Sequence, residues 1–303
     1  MQSAEMPDWG VMGGAVDADP EDAGPLGSGG GTGGLPFGSG GAVGSGGAIS
    51  AMDASQIDGS PGTGGMTGSV DAPNDSDGRG GSGGSDGSGG SCGSLNDGLV
   101  GYWKLDEGKT PIIDSSGSGN NGTLINSPTW APGPHLTCSN LNALALNGTN
   151  QYASLGNPAV LNFSGRITLS AWVRPSSSGG VQNLLAHGYD ANHEVFLRIA
   201  SPNYEVGSWV AGTTYSTIYA VPGGDIGTWV HLAGVYDGTG WHLYRNGVQV
   251  SSSVKTVGAV TVTSNWAIGA RGDGTSRLLA GVIDEVRIYK RALSAAEIAD
   301  LYP

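Results

Sequence analysis

The sequence predicts an all-β sandwich that ends in one short helix, preceded by a long Gly-rich segment. Three observations carry this. From about Leu95 onward, short period-two segments follow one another, broken by Gly, Asn, Asp and Pro. Seven of the eight tryptophans fall in the same stretch, which at about two hundred residues is long enough for one large core. The closing segment Gly281–Tyr302 reads as a buried strand, a turn and a capped helix.

The elements follow in chain order. Strands are expected near 98–105, 122–125, 142–147, 151–155, 166–174, 182–187, 194–200, 204–211, 214–220, 228–236, 241–245, 248–253, 264–270 and 280–290, because apolar and polar residues alternate there. Asn246-Gly247 between Trp241–Arg245 and Val248–Val250 is a two-residue hairpin signal, and Asp237–Gly240 makes the preceding turn. In the last strand Val282, Asp284, Val286 and Ile288 alternate with Ile283, Glu285, Arg287 and Tyr289. That phase places Asp284 on the apolar face, where a carboxylate needs a partner: an Arg, backbone N–H groups or a cation. Ser294 and Glu297 then form a capping box, with Leu293 and Ile298 at the staple positions. Ile298, Leu301 and Tyr302 share one helical face, which packs the helix onto the domain.

Charge is unevenly spread. Of the 26 acidic and 13 basic residues, twelve and one lie in 1–91, so that segment carries −11 of the net −13. It also holds about half of the 57 glycines, in runs such as Gly27–Gly34 and Gly80–Gly90. Such composition buries too little apolar surface to offset chain entropy, and it has no Gly-X-Y register. Residues 1–91 are therefore expected to be a flexible acidic linker with an r.m.s. span of roughly 50 Å, and 92–303 the folded domain. There is no basic patch to bind nucleic acid and no apolar run that would span a membrane. Met1–Asp8 lacks a basic n-region and an apolar h-region. With the linker and the cysteines, this points to a start that lies upstream in a secreted or cell-surface protein. Cys92 and Cys138 match no zinc or redox spacing. They are two unrelated thiols or a disulfide, which would contribute ~4 kcal/mol in the chain-entropy model and imply an oxidising compartment.

Seven motifs then occur in order: Gly98–Glu107, Asp114–Leu124, Ala143–Gly148, Ile167–Pro175, Thr228–Gly238, Leu243–Gly247 and Gly281–Tyr289. Together, over roughly 98–302, they resemble the laminin-G-like domain family of the concanavalin A-like lectin/glucanase superfamily. The resemblance implies a two-sheet antiparallel jelly roll with the first and last strands side by side. It also implies, from Asp284 in the last strand, a structural Ca²⁺ on the convex side, as in many members. The Asp114–Gly122 loop offers Asp114 and Asn121 as further oxygen donors; the alternative is that both cap turns and Asp284 bonds backbone N–H groups.

Fold does not fix function, so the candidate sites rest on residue chemistry. Thr168, Ser170, Trp172 and Arg174 share a strand face, as do Phe196 and Arg198 opposite Val195, Leu197 and Ile199. A sheet face bearing Trp172, Arg174, Phe196 and Arg198 suits stacking of sugar rings; the alternative is that Trp172 packs in a core. Trp209, Tyr204, Tyr215 and Tyr219 form a second aromatic group, readable as cross-strand packing. A glucanase would carry Glu-x-Asp-x-x-Glu along one strand. That pattern is missing, and Asp106-Glu107 and Asp284-Glu285 are adjacent pairs that point to opposite strand faces. No Gly-x-Ser-x-Gly elbow is present. His135, His187, His193, His231 and His242 are scattered, with His187 and His193 flanking a short polar loop. Arg271-Gly272-Asp273 spells an adhesion tripeptide. The expectation is a non-catalytic, surface-tethered binding module for a glycan, or alternatively an adhesive domain for a cell-surface protein, with its oligomeric state open.

Overall fold

A computed structural model describes residues 95–134, 142–190 and 192–302. The linker expected over 1–91 and both Cys92 and Cys138 lie outside the described residues. Among the described residues there are fifteen strands: β1 (Leu99–Trp103), β2 (Thr123–Ile125), β3 (Thr129–Ala131), β4 (Ala143–Asn147), β5 (Tyr152–Gly156), β6 (Ile167–Pro175), β7 (Val181–Gly188), β8 (His193–Ala200), β9 (Asn203–Val210), β10 (Thr213–Ala220), β11 (Val230–Tyr236), β12 (Trp241–Arg245), β13 (Val248–Ser252), β14 (Trp266–Ile268) and β15 (Ala280–Tyr289). One helix, α1 (Ala295–Asp300), follows. Every expected strand has a counterpart. Thr129–Ala131 was not anticipated, because Pro128 and Pro132 bracket it and proline reads as a breaker.

The strands form two antiparallel sheets. One is eight-stranded, in the order β13-β12-β11-β6-β15-β4-β3 with β1 also on β15; the other is seven-stranded, in the order β10-β9-β8-β7-β14-β5-β2. The first and last strands are indeed neighbours. The core lies between the sheets. Ile167, Leu169, Ala171 and Val173 of β6 meet Val195, Leu197 and Ile199 of β8, with Trp103, Trp241 and Trp266 filling the layer. This is the alternation of a sandwich. At Gly234 the two sheets come so close that a Cβ would sit 2.1 Å from Val206 Cγ2, so no side chain fits there.

The last strand departs from its sequence phase. Its pairing with β6 shifts register between Asp284 and Arg287, and Glu285 takes φ 51°. A bulge adds one residue to one side of the ladder. Ile283 therefore points into the core before it, and Val286 and Ile288 after it. Asp284 lies opposite Trp172, on the outer face of the eight-stranded sheet and not on the apolar face. That outer face is covered by the end of the chain. Leu293, Ile298 and Leu301 pack on Ala233, Val235, Tyr244 and Tyr289. Ser294 and Glu297 complete the capping box. Arg291 pairs with Glu297 at 2.7 Å; this contact and the Ser294 N–H lower the Glu297 carboxyl to about 2.

Candidate functional site

The outer face of the seven-stranded sheet carries a run of aromatic and charged side chains that are largely buried. Strand alternation turns Glu194, Phe196 and Arg198 of β8 away from the core, and on β9 it does the same for Glu205, Gly207 and Trp209. Across the ladder, Arg198 stands opposite Glu205, and Trp209 opposite Glu194. Planar groups then line up diagonally. The Arg198 guanidinium lies 3.7 Å from the Phe196 ring centroid. Phe196 and Trp209 pack with Ala186. Tyr189 meets Trp209 at 4.9 Å with a tilt of 34°, and Arg271 lies 4.9 Å over Tyr189. Rings attract cations through their quadrupole, so each guanidinium is held against a ring.

Beneath this stripe runs a charge network. Arg198 Nε donates to Glu205 at 2.8 Å, and its Nη1 lies 3.8 Å from Glu194. Arg277, from the loop before β15, donates to Glu194 at 2.5 Å. Asn183 Nδ2 donates to Glu194 and Ser216 Oγ to Glu205. Glu194, Glu205, Arg198 and Arg277 are all buried. Paired charges of this kind seldom stabilise more than apolar residues of equal volume would.

The residues expected from sequence separate into two groups. Phe196 and Arg198 belong to the stripe. Trp172 and Arg174 lie on the outer face of the opposite sheet, so the four do not form one site. Trp172 is neither open nor in the central core: it stacks on Tyr302 at 5.3 Å and lies 5.4 Å from His231. Arg174 sits over Trp229. The second aromatic group also divides. Tyr204 is in the core with Tyr219 against it, while Trp209 is outside.

Asp114 accepts backbone hydrogen bonds from Tyr102 and Ser116 through Oδ1 and from Asn120 through Oδ2. Asn121 Oδ1 accepts from the Asp114 N–H. Both side chains brace the loop, and Asp284 lies on β15 opposite Trp172. Among the described residues, no three His, Cys, Asp or Glu side chains are grouped to hold a metal ion. His187 is buried, stacks on Trp266 at 4.6 Å and bonds Asn157. His193 instead contacts Asp190. In the Arg271-Gly272-Asp273 loop, Arg271 grips Asp273 at 2.9 Å. Burial tends to raise the Asp273 carboxyl, but the bonds from Arg271 and Thr275 outweigh it and lower it. The alternation that joins Phe196 to Arg198 extends to Glu194, which was not singled out from the sequence. Arg277 comes from an irregular loop and gave no periodic signal.

Residues 147–299, half of the chain, match the family described as Concanavalin A-like lectin/glucanases superfamily, Laminin_G_3. The chain belongs to this superfamily. No curated protein matches it in sequence. Among solved structures it is similar to domain 4 of an extracellular GH43 arabinanase from Geobacillus stearothermophilus, in complex with arabinotriose, at 24% identity over 68% of this chain and 98% of that one, with TM-score 0.57. The binding domain of Paraclostridial Mosquitocidal Protein 1 follows at 20% identity, covering 69% of this chain and 52% of that one, TM-score 0.54. The botulinum neurotoxin serotype G binding domain is similar at 15% identity over 67% and 50%, TM-score 0.52. The chain thus spans about half of each toxin domain. At these identities the likeness concerns the fold. No helix among the described residues is long and apolar enough to cross a membrane.

Proposed function

We propose that the folded part of this chain is a non-catalytic carbohydrate-binding module of an extracellular protein, and that its glycan lies on the outer face of the seven-stranded sheet. The observation that carries this reading is the stripe of rings and guanidiniums from Arg198 to Arg271, floored by buried, mutually paired Arg and Glu side chains. A sugar ring presents apolar C–H faces and a rim of hydroxyls. Amphipathic aromatic rings match the first. The guanidinium N–H groups of the half-buried Arg271 match the second. Tyr189 and Arg271 are the half-buried members at the mouth; Trp209, Phe196 and Arg198 support them from below. The arabinanase domain solved with arabinotriose makes arabino-oligosaccharides a reasonable first probe.

Nothing in the site favours hydrolysis. A glucanase aligns its carboxylates along one strand. Here Glu194 and Glu205 stand on different strands with Arg198 between them, and each is engaged with a guanidinium. The test is a glycan array that includes arabino-oligosaccharides, run with and without Ca²⁺. Binding to a defined set of glycans supports the reading. Silence under both conditions overturns it in favour of an adhesive protein-binding domain.

A further inference from the structure

The two sheets end in five edge strands, β13, β3 and β1 in one and β10 and β2 in the other, and these edges are not alike. β2 and β3 are three residues long. β13 and β1 have five residues each, and their pairings with β12 and β15 shift register between Leu243 and Tyr244 and between Leu99 and Gly101. Short and bulged edges are the devices by which sheet proteins avoid joining edge to edge. β10 has none of them. It runs eight residues, Thr-Thr-Tyr-Ser-Thr-Ile-Tyr-Ala, without a charge or a proline, and it pairs with β9 without a register shift. Its β-branched and aromatic residues favour further pairing.

The exposed groups of this edge follow from its hairpin. Val210 and Thr213 flank the two-residue turn Ala211-Gly212, and Val221 N–H reaches Pro202 O at the far end. Antiparallel pairs alternate, so Tyr215, Thr217 and Tyr219 spend their backbone groups on β9. Thr214, which is engaged by another contact, and Ser216, Ile218 and Ala220 direct theirs outward. The strand is fixed in place, since Thr217 Oγ1 meets Ser251 Oγ of β13 at 2.7 Å. Ile218 is 52% exposed.

We propose that β10 pairs with β10 of a second copy of this chain, antiparallel, about a two-fold axis at Ile218. In this register Ile218 exchanges both backbone hydrogen bonds with its copy, and Ser216 exchanges both with Ala220, about six bonds in all. The two exposed Ile218 side chains cover each other. A copy is the partner that fits because the strand carries no charge to repel itself, and a two-fold contact is self-complementary. The two seven-stranded sheets become one continuous sheet, with both ring-and-guanidinium stripes on the same side. Two sites on one face raise the avidity for a repeating ligand without new contacts, but the pairing itself does not depend on what that face binds.

The experiment is sedimentation velocity on the full chain over a concentration series, with hydrogen exchange alongside. The wild type shows a concentration-dependent monomer–dimer equilibrium. The amides of Ser216, Ile218 and Ala220 gain protection as the dimer forms. Ile218→Lys loses the dimer while keeping the wild-type circular dichroism, and Val248→Lys on the β13 edge keeps it. A wild type that stays monomeric throughout overturns the proposal. So does a dimer formed without protection at these three amides, or one that Ile218→Lys leaves intact.

Discussion

His187 gives the domain a dependence on pH that can be worked out from its surroundings. The ring is buried, stacked on Trp266, and hydrogen-bonded to Asn157. Burial lowers its pKa to about 4, against partial opposition from the Ser264 backbone and the Asp190 carboxylate. In the unfolded chain the same ring titrates near 6.5. Below that pH the unfolded chain takes up a proton that the folded chain refuses until about pH 4. The stability from keeping the ring neutral is thus complete above pH 6.5 and is lost as pH falls towards 4. Linkage over this window amounts to roughly 3 kcal/mol in full and about 2 kcal/mol between pH 7 and pH 5. His187→Phe keeps an aromatic ring against Trp266 but cannot bind the proton. Urea unfolding of both proteins at pH 7 and pH 5 measures the difference. The wild type should lose about 2 kcal/mol more than the variant on acidification. Equal losses in the two proteins would refute the argument.

Three other perturbations follow from the geometry. Glu194→Gln leaves Arg198 and Arg277 facing each other without their shared carboxylate, and should cost about 3–5 kcal/mol in urea unfolding; a loss below about 1 kcal/mol would mean the network is solvated. Gly234→Ala forces a methyl group against Val206 where the sheets meet, and should lower stability by about 1–3 kcal/mol, read from the same assay. Because Asp114 and Asn121 are engaged with backbone N–H groups, EDTA should leave the thermal midpoint unchanged. A drop that added Ca²⁺ reverses would show that these oxygens regroup around an ion.

Much of the fold was legible because a sandwich repeats one rule. Period two with turn residues located the strands, Asn246-Gly247 located a hairpin, and Ser294 with Glu297 located the helix start. The rule fails where the backbone breaks it. The bulge at Glu285 reverses the phase of the last strand, and a positive φ at a Glu leaves no mark in a hydropathy pattern. That single residue moved Asp284 from the core side to the outer face. The site was half legible for a related reason. Alternation shows which residues share a strand face, so Phe196 and Arg198 were correctly paired. It does not show to which sheet a strand belongs, so Trp172 and Arg174 were joined to them although the core separates the two pairs. Arg277 and Tyr189 reach the stripe from loops, where no period exists to reveal them.

The central claim, that a glycan lies along the stripe of the seven-stranded sheet, is tested most directly by two alanine variants. Tyr189→Ala removes a half-buried ring from the stripe. Trp229→Ala removes a half-buried ring beside Arg174 on the opposite sheet. Titration of an array-identified oligosaccharide into each, by calorimetry, should show Tyr189→Ala weakening Kd by about tenfold, as the loss of one stacked ring and its buried area implies, with Trp229→Ala unchanged. Undiminished binding in Tyr189→Ala, or loss confined to Trp229→Ala, would contradict the account and move the site to the other face.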